Sequence, residues 1–279
     1  MNCGPMSEAK SGITEDGFLG GRLRLRQPAS GHRAGHDAIL LAAATAAKPG
    51  QRIADFGAGV GAAGLAVARR VAGIELVLVE VDAAIAELTS ANAASNGIEA
   101  RVVTLDLDSS AAAFAAAGLG PDSVDGVLTN PPFNDPVRQQ PSPDGARRIA
   151  HEATATTLEN WIHAARRVLK PGGMLTLIWR AEGLEQVLAA LARGFGGIAI
   201  QPVHGMPSGP AIRILVRATK GARAPLRIYP GLMLNDSAGV PRCRQTHCYP
   251  ARRCCRSRAY ERSAEFSSAI VRSAALPSK

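Results

Sequence analysis

Four consecutive residues, Asn130-Pro131-Pro132-Phe133, carry the most specific chemical signal in the sequence. The two prolines fix φ and lack an N–H group, so Pro131 and Pro132 predict a rigid corner with exposed carbonyl oxygens. The side-chain carbonyl of Asn130 and the main-chain carbonyl of Pro131 can accept both protons of one amino group. Phe133 offers an aromatic face on which a base can stack. The segment predicts a site that orients a planar NH2 group as a nucleophile; the alternative is an ordinary Asn-Pro turn at a strand end.

A glycine loop forms a second candidate site. The segment Asp55-Phe56-Gly57-Ala58-Gly59-Val60-Gly61 joins a predicted strand to a predicted helix. Gly57, Gly59 and Gly61 allow a sharp turn and the close approach of a ligand to the backbone. Glu80 ends the next predicted strand, 19 residues after Gly61, where a carboxylate can accept hydrogen bonds from ribose hydroxyls. Together these features predict a nucleotide-binding loop, against the alternative of a tight turn without a ligand.

Two classes of nucleotide fit this loop, a dinucleotide and S-adenosylmethionine. The spacing is G-x-G-x-G, whereas the dinucleotide fingerprint is G-x-G-x-x-G and holds a pyrophosphate. Asp55 adds negative charge where a pyrophosphate would have to approach. S-adenosylmethionine has no phosphate and is cationic, so the acidic surroundings favour it. Asp106, at the end of the third strand, is then expected to accept a hydrogen bond from the adenine amino group.

Strand patterns and helix patterns alternate along most of the chain. Strands are predicted at 53–56, 75–80, 101–105, 124–129, 174–179, 198–203 and 212–217. Helical segments lie between most of them, which favours an α/β fold with a mostly parallel seven-stranded sheet, an antiparallel edge hairpin and helices on both faces. Before them, a two-residue alternation predicts that Leu23 and Leu25 face inward and that Arg22, Arg24 and Arg26 face outward.

In their order and spacing, Asp55–Gly61, Glu80, Asp106 and Asn130–Phe133 resemble the class I S-adenosylmethionine-dependent methyltransferases that modify exocyclic or amide nitrogens. Over residues 18–235, the chain most resembles the bacterial tRNA(Val) adenine-N6 methyltransferase family, with further cues at 16–19, 37–41 and 213–221. The resemblance implies a Rossmann-like class I methyltransferase fold, S-adenosylmethionine as cofactor, and methylation of adenine N6 in tRNA near the anticodon. It also implies that Asp37 belongs to the cofactor pocket.

Three alternatives to this function remain open at this point. Guanine N2 of ribosomal RNA and a glutamine amide of a release factor each present an NH2 group beside a π-system, as adenine N6 does. A non-catalytic module that binds S-adenosylmethionine or RNA belongs to a different class. The chain also departs from the family where Asn134-Asp135 follows the tetrapeptide, since related enzymes often carry an aromatic or apolar residue there.

Composition and charge exclude some broad classes. The 279 residues are 46% apolar, too apolar for a wholly disordered chain. No run approaches the ~20 apolar residues of a membrane span, and no apolar leader is visible, so we expect a cytoplasmic protein without a membrane partner. The net charge is +9, of which residues 241–279 contribute +7 through nine basic and two acidic residues. We therefore infer an RNA partner from local clusters, namely Arg22, Arg24, Arg26, Arg147 and Arg148, which are expected to hold phosphates; the alternative is that they are solvated surface residues.

The pattern predicts a flexible arm at 1–17, a methyltransferase domain at 18–235, and an irregular basic tail rich in Cys and Arg at 236–279. The tail cysteines follow the spacing C-x4-C-x5-C-C, which lacks the usual C-x2-C pairs of zinc sites, so no metal is expected. The oligomeric state that we expect is a monomer.

Overall fold

The architecture is a central sheet whose strands alternate with helices, seen in a computed structural model that describes residues 12–29, 33–132 and 144–235, without the side chains of 144–155. The strands are β1 (Ile13–Phe18), β2 (Leu23–Pro28), β3 (Arg52–Phe56), β4 (Glu75–Glu80), β5 (Ala100–Thr104), β6 (Val124–Thr129), β7 (Leu169–Arg180), β8 (Phe195–His204), β9 (Ala211–Lys220), β10 (Arg227–Ile228) and β11 (Leu232–Met233). The helices are α1 (His36–Ala44), α2 (Ala62–Arg70), α3 (Ala83–Ser95), α4 (Ala111–Ala116), α5 (Asp144–Val168) and α6 (Leu184–Leu191). In these described ranges, every helix is too short or too polar to span a bilayer.

The main sheet has the order β5-β4-β3-β6-β7-β9-β8. Strands β3 to β7 pair in parallel, and β9 runs antiparallel between β7 and β8. The predicted fold class is confirmed, including the antiparallel hairpin of β8 and β9. Within the described residues the sheet also gains β10 and β11, which pair with β8. At two residues each, these strands are too short to show a periodic pattern in the sequence.

Helices cover both faces of the sheet, and the strand residues alternate between the two layers. In β4, Leu76 and Leu78 belong to the apolar cluster that contains residues of α1 and α2. Val77 and Val79 belong to the opposite cluster, with residues of α4, α5 and α6. All four side chains are at most 1% exposed. Burial on both faces explains why these strands read as continuous apolar runs.

The hairpin of β1 and β2 forms a separate two-stranded sheet. It corrects the predicted flexible arm at 1–17, because residues 13–17 belong to β1 and pair with β2. The pairing is polar: Asp16 Oδ2 accepts hydrogen bonds from Gln27 Nε2 at 2.9 Å and from Arg33 at 2.5 Å. Because polar side chains hold β1 in place, its sequence lacks the apolar alternation by which strands are recognised.

Asn92 of α3 and Asn96, which directly follows α3, attach β2 to the domain. Asn92 accepts from the Arg26 N–H at 2.8 Å and donates to the Arg26 carbonyl at 2.9 Å. Asn96 does the same with the N–H and carbonyl of Arg24, at 2.9 and 2.7 Å. Four residues separate Asn92 from Asn96, about 6 Å along a helix, and two residues separate Arg26 from Arg24, about 6.6 Å along a strand. The two spacings match, so each asparagine meets one arginine. The predicted alternation holds, since Leu23 and Leu25 are fully buried and the arginine side chains are exposed.

Candidate active site at the carboxyl edge of the sheet

The carboxyl ends of four adjacent strands bring most of the predicted site residues to one edge. The glycine loop follows β3, Glu80 ends β4, Asp106 lies two residues after β5, and Asn130 directly follows β6. Because the strand order is β5-β4-β3-β6, these groups stand in the lateral order Asp106, Glu80, loop, Asn130. Ligands of open α/β sheets bind outside this edge, where adjacent loops diverge.

Two glycines of the loop meet different surroundings. At Gly57, where φ is +69°, a Cβ atom would lie 2.4 Å from the Trp161 ring, so α5 packs directly on the backbone. At Gly59, where φ is +54°, a Cβ atom would meet nothing within 4 Å. Both conformations favour glycine. Gly57 therefore serves packing, whereas Gly59 faces open space at the edge of the sheet.

Glu80 braces the loop from β4. Its Oε2 accepts a hydrogen bond from the Gly59 N–H at 2.8 Å, and its Oε1 accepts from Val81 and Asp82 at 2.8 and 3.0 Å. A carboxylate has about four lone-pair positions, so these bonds leave acceptor capacity. The half-buried side chain holds the loop in place and can still accept a further donor from a ligand.

Asp55 is directed toward the start of α2. Its side chain is 2% exposed, and Oδ2 accepts a hydrogen bond from the Gly64 N–H at 2.8 Å. The residue that precedes α2 is Gly61, which has no side chain to cap the helix, so Asp55 satisfies one of the unpaired N–H groups. Burial raises its pKa to about 7; the Gly64 bond lowers it and the charge of Glu80 raises it further.

Asp106 and Asp37 have partners of their own. Asp106 is exposed, and its carboxylate accepts from the Asp108 N–H at 2.9 Å. Asp37, in the first turn of α1, forms an ion pair with Arg213 of β9 at 3.0 Å. These contacts leave the predicted cofactor roles of both residues as predictions, and they add a structural role for Asp37 that the sequence pattern did not indicate.

Asn130 carries a buried acceptor that the described residues do not satisfy. Its Oδ1 is inaccessible to solvent and has no hydrogen-bond partner among them. The adjacent β6 end is fixed, since Thr129 Oγ1 donates to the Phe56 carbonyl at 3.0 Å. Pro131 is buried and Pro132 is exposed, while Phe133 lies outside the described residues. An unpaired buried carbonyl costs free energy, so the arrangement fits an amino group that arrives with a ligand.

Comparison with known proteins agrees with this geometry. The family model of the methyltransferase small domain matches residues 33–201, more than half of the chain. The chain belongs to the methyltransferase small domain family. At the level of this family, the predicted enzyme class and cofactor, a methyltransferase that uses S-adenosylmethionine, are confirmed.

Two similar curated proteins are named for different classes of RNA. The tRNA1(Val) (adenine(37)-N6)-methyltransferase of Porphyromonas gingivalis is 30% identical over 173 residues, which are 60% of this chain and 66% of that protein. The ribosomal RNA small subunit methyltransferase C of Pseudomonas fluorescens is 33% identical over 130 residues, 47% of this chain and 32% of that protein. The matched part thus spans just under two thirds of the first relative and about a third of the second.

Solved structures support the class I fold. A predicted O-methyltransferase from Agrobacterium tumefaciens, protein Atu636, superposes with a TM-score of 0.61 at 30% identity, covering 80% of this chain and 96% of that one. The 16S rRNA N2 G1207 methyltransferase of T. thermophilus, solved with AdoMet and guanosine, gives a TM-score of 0.52 at 21% identity, covering 75% of this chain and 50% of that one. At that identity the second likeness concerns the fold alone.

The predicted substrate-binding arginines lie at different distances from the glycine loop. Asn92 binds both Arg26 and the Val60 carbonyl of the glycine loop, so Arg26 lies near the loop. Asn96, the residue after the last residue of α3, holds Arg24, which also pairs with Glu15 at 3.4 Å. Arg26 is therefore the nearest of the three to the glycine loop, and Arg22, which directly precedes β2, is the farthest. The side chains of Arg147 and Arg148 lie outside the described residues.

Sequence reasoning missed three residues that shape the loop. Trp161 packs on Gly57, Thr89 Oγ1 donates to the Gly59 carbonyl, and Asn92 donates to the Val60 carbonyl at 3.0 Å. A signal was present for α3, because Thr89, Asn92 and Asn96 recur at helical spacing in an Ala-rich segment. Buried polar residues need partners, and for Thr89 and Asn92 these partners include loop carbonyls.

Proposed function

We propose that this protein transfers a methyl group from S-adenosylmethionine to adenine N6 of a tRNA near the anticodon. The observation that carries the proposal is the buried Oδ1 of Asn130, which has no hydrogen-bond partner among the described residues and lies at the edge that also holds the glycine loop. Family membership supports the reaction class, and the tRNA-modifying relative supports the choice of base.

The residues around the loop fit S-adenosylmethionine. Gly59 faces open space, and Glu80 offers acceptor capacity directly beside it. Asp55 and Glu80 place carboxyl groups around the loop, which suits a cationic ligand better than a pyrophosphate. When bound, S-adenosylmethionine supplies an electrophilic methyl group on a positively charged sulfur.

Asn130 and Pro131 position the nucleophile. The Asn130 Oδ1 and the Pro131 carbonyl accept the two protons of the amino group, which directs its lone pair toward the cofactor side of the crevice. Asn130 is neutral, so it orients the amine without taking a proton. In the transfer, the N–C bond would form as the bond between the methyl group and the sulfur breaks, a neutral thioether would leave, and the nitrogen would release one proton to water. Positioning therefore supplies most of the rate enhancement.

A second candidate target is guanine N2 in ribosomal RNA. The relative from Pseudomonas fluorescens supports it, since 47% of this chain matches that ribosomal RNA methyltransferase. Guanine N2 presents the same NH2 geometry to Asn130, so the acceptor pair alone does not separate the two bases.

The deciding experiment is methyl transfer from labelled S-adenosylmethionine to RNA of cells that lack this gene, with the labelled nucleosides identified by mass spectrometry. We expect N6-methyladenosine in the tRNA fraction. Asn130→Ala should lower the rate about 100-fold, because the amine loses one of its two acceptors, while calorimetry shows unchanged affinity for S-adenosylmethionine. Label in N2-methylguanosine would move the target to ribosomal RNA. Absence of label from all RNA, with intact cofactor binding, would reject an RNA substrate.

A further inference from the structure

A cavity bordered by basic residues lies away from Asn130, and the apolar parts of the lining residues form most of its wall. Its volume is about 490 Å3, and it is lined by His163, Arg166, Arg167, Gly194, Lys220 and Gly221. The first three residues belong to the last turns of α5, and the others lie before β8 and at the end of β9. None of these residues contributes to the crevice at the carboxyl edge.

The direction of β9 places this cavity at the amino edge of the sheet. Because β9 is antiparallel to β7, its last residue, Lys220, lies beside Phe195, the first residue of β8. The Asp122 N–H, just before β6, donates to the Arg167 carbonyl at 3.4 Å. Asn130 follows the other end of β6, which has six residues. At ~3.3 Å per residue, about 20 Å separates the two sites.

Neutral acceptors hold the arginines of the cavity. Arg166 donates to the Arg193 carbonyl at 3.0 Å. Arg167 donates to the Ser109 carbonyl at 3.4 Å, and its guanidinium carbon lies 4.0 Å from the Phe114 ring centre. Carbonyls and rings carry no formal charge, so the positive charge of both arginines remains available while their side chains are held in place.

A single carboxylate opposes this charge within the described part of the chain. Lys220 donates to Asp122 at 2.8 Å and to the Leu169 carbonyl at 2.5 Å, and this is the one ion pair that the three cations of the cavity form there. Exposed Arg193 lies beside the cavity, and Arg223 follows the turn that the Gly221 N–H closes onto the Gly194 carbonyl at 2.9 Å. The net local charge is positive.

We propose that this cavity binds the phosphate backbone of the RNA substrate, about 20 Å or more from the methylated base. The inference rests on the proposed function in taking RNA as the substrate. Guanidinium groups match phosphate oxygens in geometry, and side chains already fixed by carbonyls lose less entropy on binding. The volume suits a phosphate together with its sugar. A span of 20 Å equals about six base steps of ~3.4 Å, so an RNA that ends fewer than six nucleotides from the methylated base cannot reach both sites.

The test compares two fluorescein-labelled RNAs, a full-length tRNA transcript and a loop fragment, which is the part of its anticodon loop that ends fewer than six nucleotides from the methylated base on either side. Arg166→Gln/Lys220→Gln removes two cations of the cavity. Arg69→Gln is the matched control, because Arg69 is also exposed and also donates to a carbonyl, that of Asn96, at 2.6 Å. Fluorescence anisotropy at several salt concentrations gives the affinity and its salt dependence, and calorimetry gives the affinity for S-adenosylmethionine.

For the double variant we expect about tenfold weaker binding of the full-length tRNA, with the slope of log K against log salt reduced by about 1 to 2. Its binding of the loop fragment and of S-adenosylmethionine should not change, and Arg69→Gln should behave as the wild type. Unchanged binding of the full-length tRNA, or an equal loss on both RNAs, would overturn the proposal.

Two further readouts keep the result interpretable. If the double variant binds S-adenosylmethionine poorly, Arg166→Gln alone decides, because it leaves the Lys220 contacts to Asp122 and Leu169 intact. Failure of the proposed function would look different: the wild type would bind the tRNA through this cavity but leave it unmethylated in the transfer assay.

Discussion

Asp55 combines near-complete burial with a hydrogen bond to the start of α2. Burial raises its pKa to about 7, from an ordinary value of 3.8. Between these values the folded protein holds a proton that the unfolded chain releases, so this residue's contribution to stability is greatest below about pH 4 and is lost as the pH rises through about 7. Above pH 7 the folded state keeps a buried negative charge between the glycine loop and α2.

Asp55→Asn should therefore gain stability relative to the wild type as the pH rises. Asparagine stays neutral and can still accept the Gly64 N–H bond. We expect the difference in melting temperature, variant minus wild type, to increase by roughly 5 °C between pH 5 and pH 8. Thermal unfolding followed by circular dichroism measures it. A difference that stays constant over this range would contradict the raised pKa.

The glycine loop offers a matched pair of substitutions. Gly57→Ala places a methyl group 2.4 Å from the Trp161 ring, whereas Gly59→Ala meets open space at a similarly positive φ. We expect Gly57→Ala to lower the free energy of unfolding by about 3 kcal/mol, and Gly59→Ala by about 1 kcal/mol. Both should weaken S-adenosylmethionine binding, because the loop lines the proposed cofactor site. Urea unfolding and calorimetry separate the two effects; equal losses of stability would argue against the Trp161 contact.

The attachment of β2 to α3 depends on two side chains of unequal burial. Asn92 is fully buried and also binds the Val60 carbonyl, whereas Asn96 is partly exposed. Asn92→Ala should cost about 2–3 kcal/mol, because the Arg26 backbone and the loop lose partners away from water. Asn96→Ala should cost about 1 kcal/mol, since water can replace it at Arg24. Urea unfolding of both variants tests this order, and the reverse order would show that the Val60 bond adds little.

The order of strands and helices and the edge that holds the site were predictable from the sequence. Apolar strand runs, helix-length spacers and polar residues at strand ends are local signals. Because the carboxyl ends of parallel strands meet at one edge of a sheet, the polar residues at those ends are expected to share a crevice. The strand β1 was missed because its pairing depends on Asp16 and Gln27 rather than on apolar alternation. The contact of Trp161 with Gly57 joins residues about a hundred positions apart, and no local pattern encodes such a distance.

The domain boundary predicted at residue 235 can be tested by truncation. Leu232 is 7% exposed and pairs with β8, and the Asn235 side chain donates to the Gly205 carbonyl at 2.8 Å. A chain that ends after residue 235 should therefore keep its melting temperature within a few degrees, whereas one that ends after residue 225 should lose β10 and β11 and melt well below it. Equal melting temperatures for the two would show that these strands contribute little to stability.

Removal of the residues after 235 should also weaken the salt-sensitive part of RNA binding, because residues 241–279 carry a charge of +7.

Asn92 and Asn96 also affect whether copies of this protein aggregate through the edge of β2. A strand edge with unpaired N–H and carbonyl groups is a template on which another chain can pair and aggregate. Along β2, the backbone groups of Arg24 and Arg26 are occupied by Asn96 and Asn92, so a helix closes an edge that would otherwise recruit a strand. The double variant Asn92→Ala/Asn96→Ala should scatter light increasingly with concentration and time, where the wild type does not. Solubility of the folded molecule would then depend on the same two amides that hold the hairpin in place.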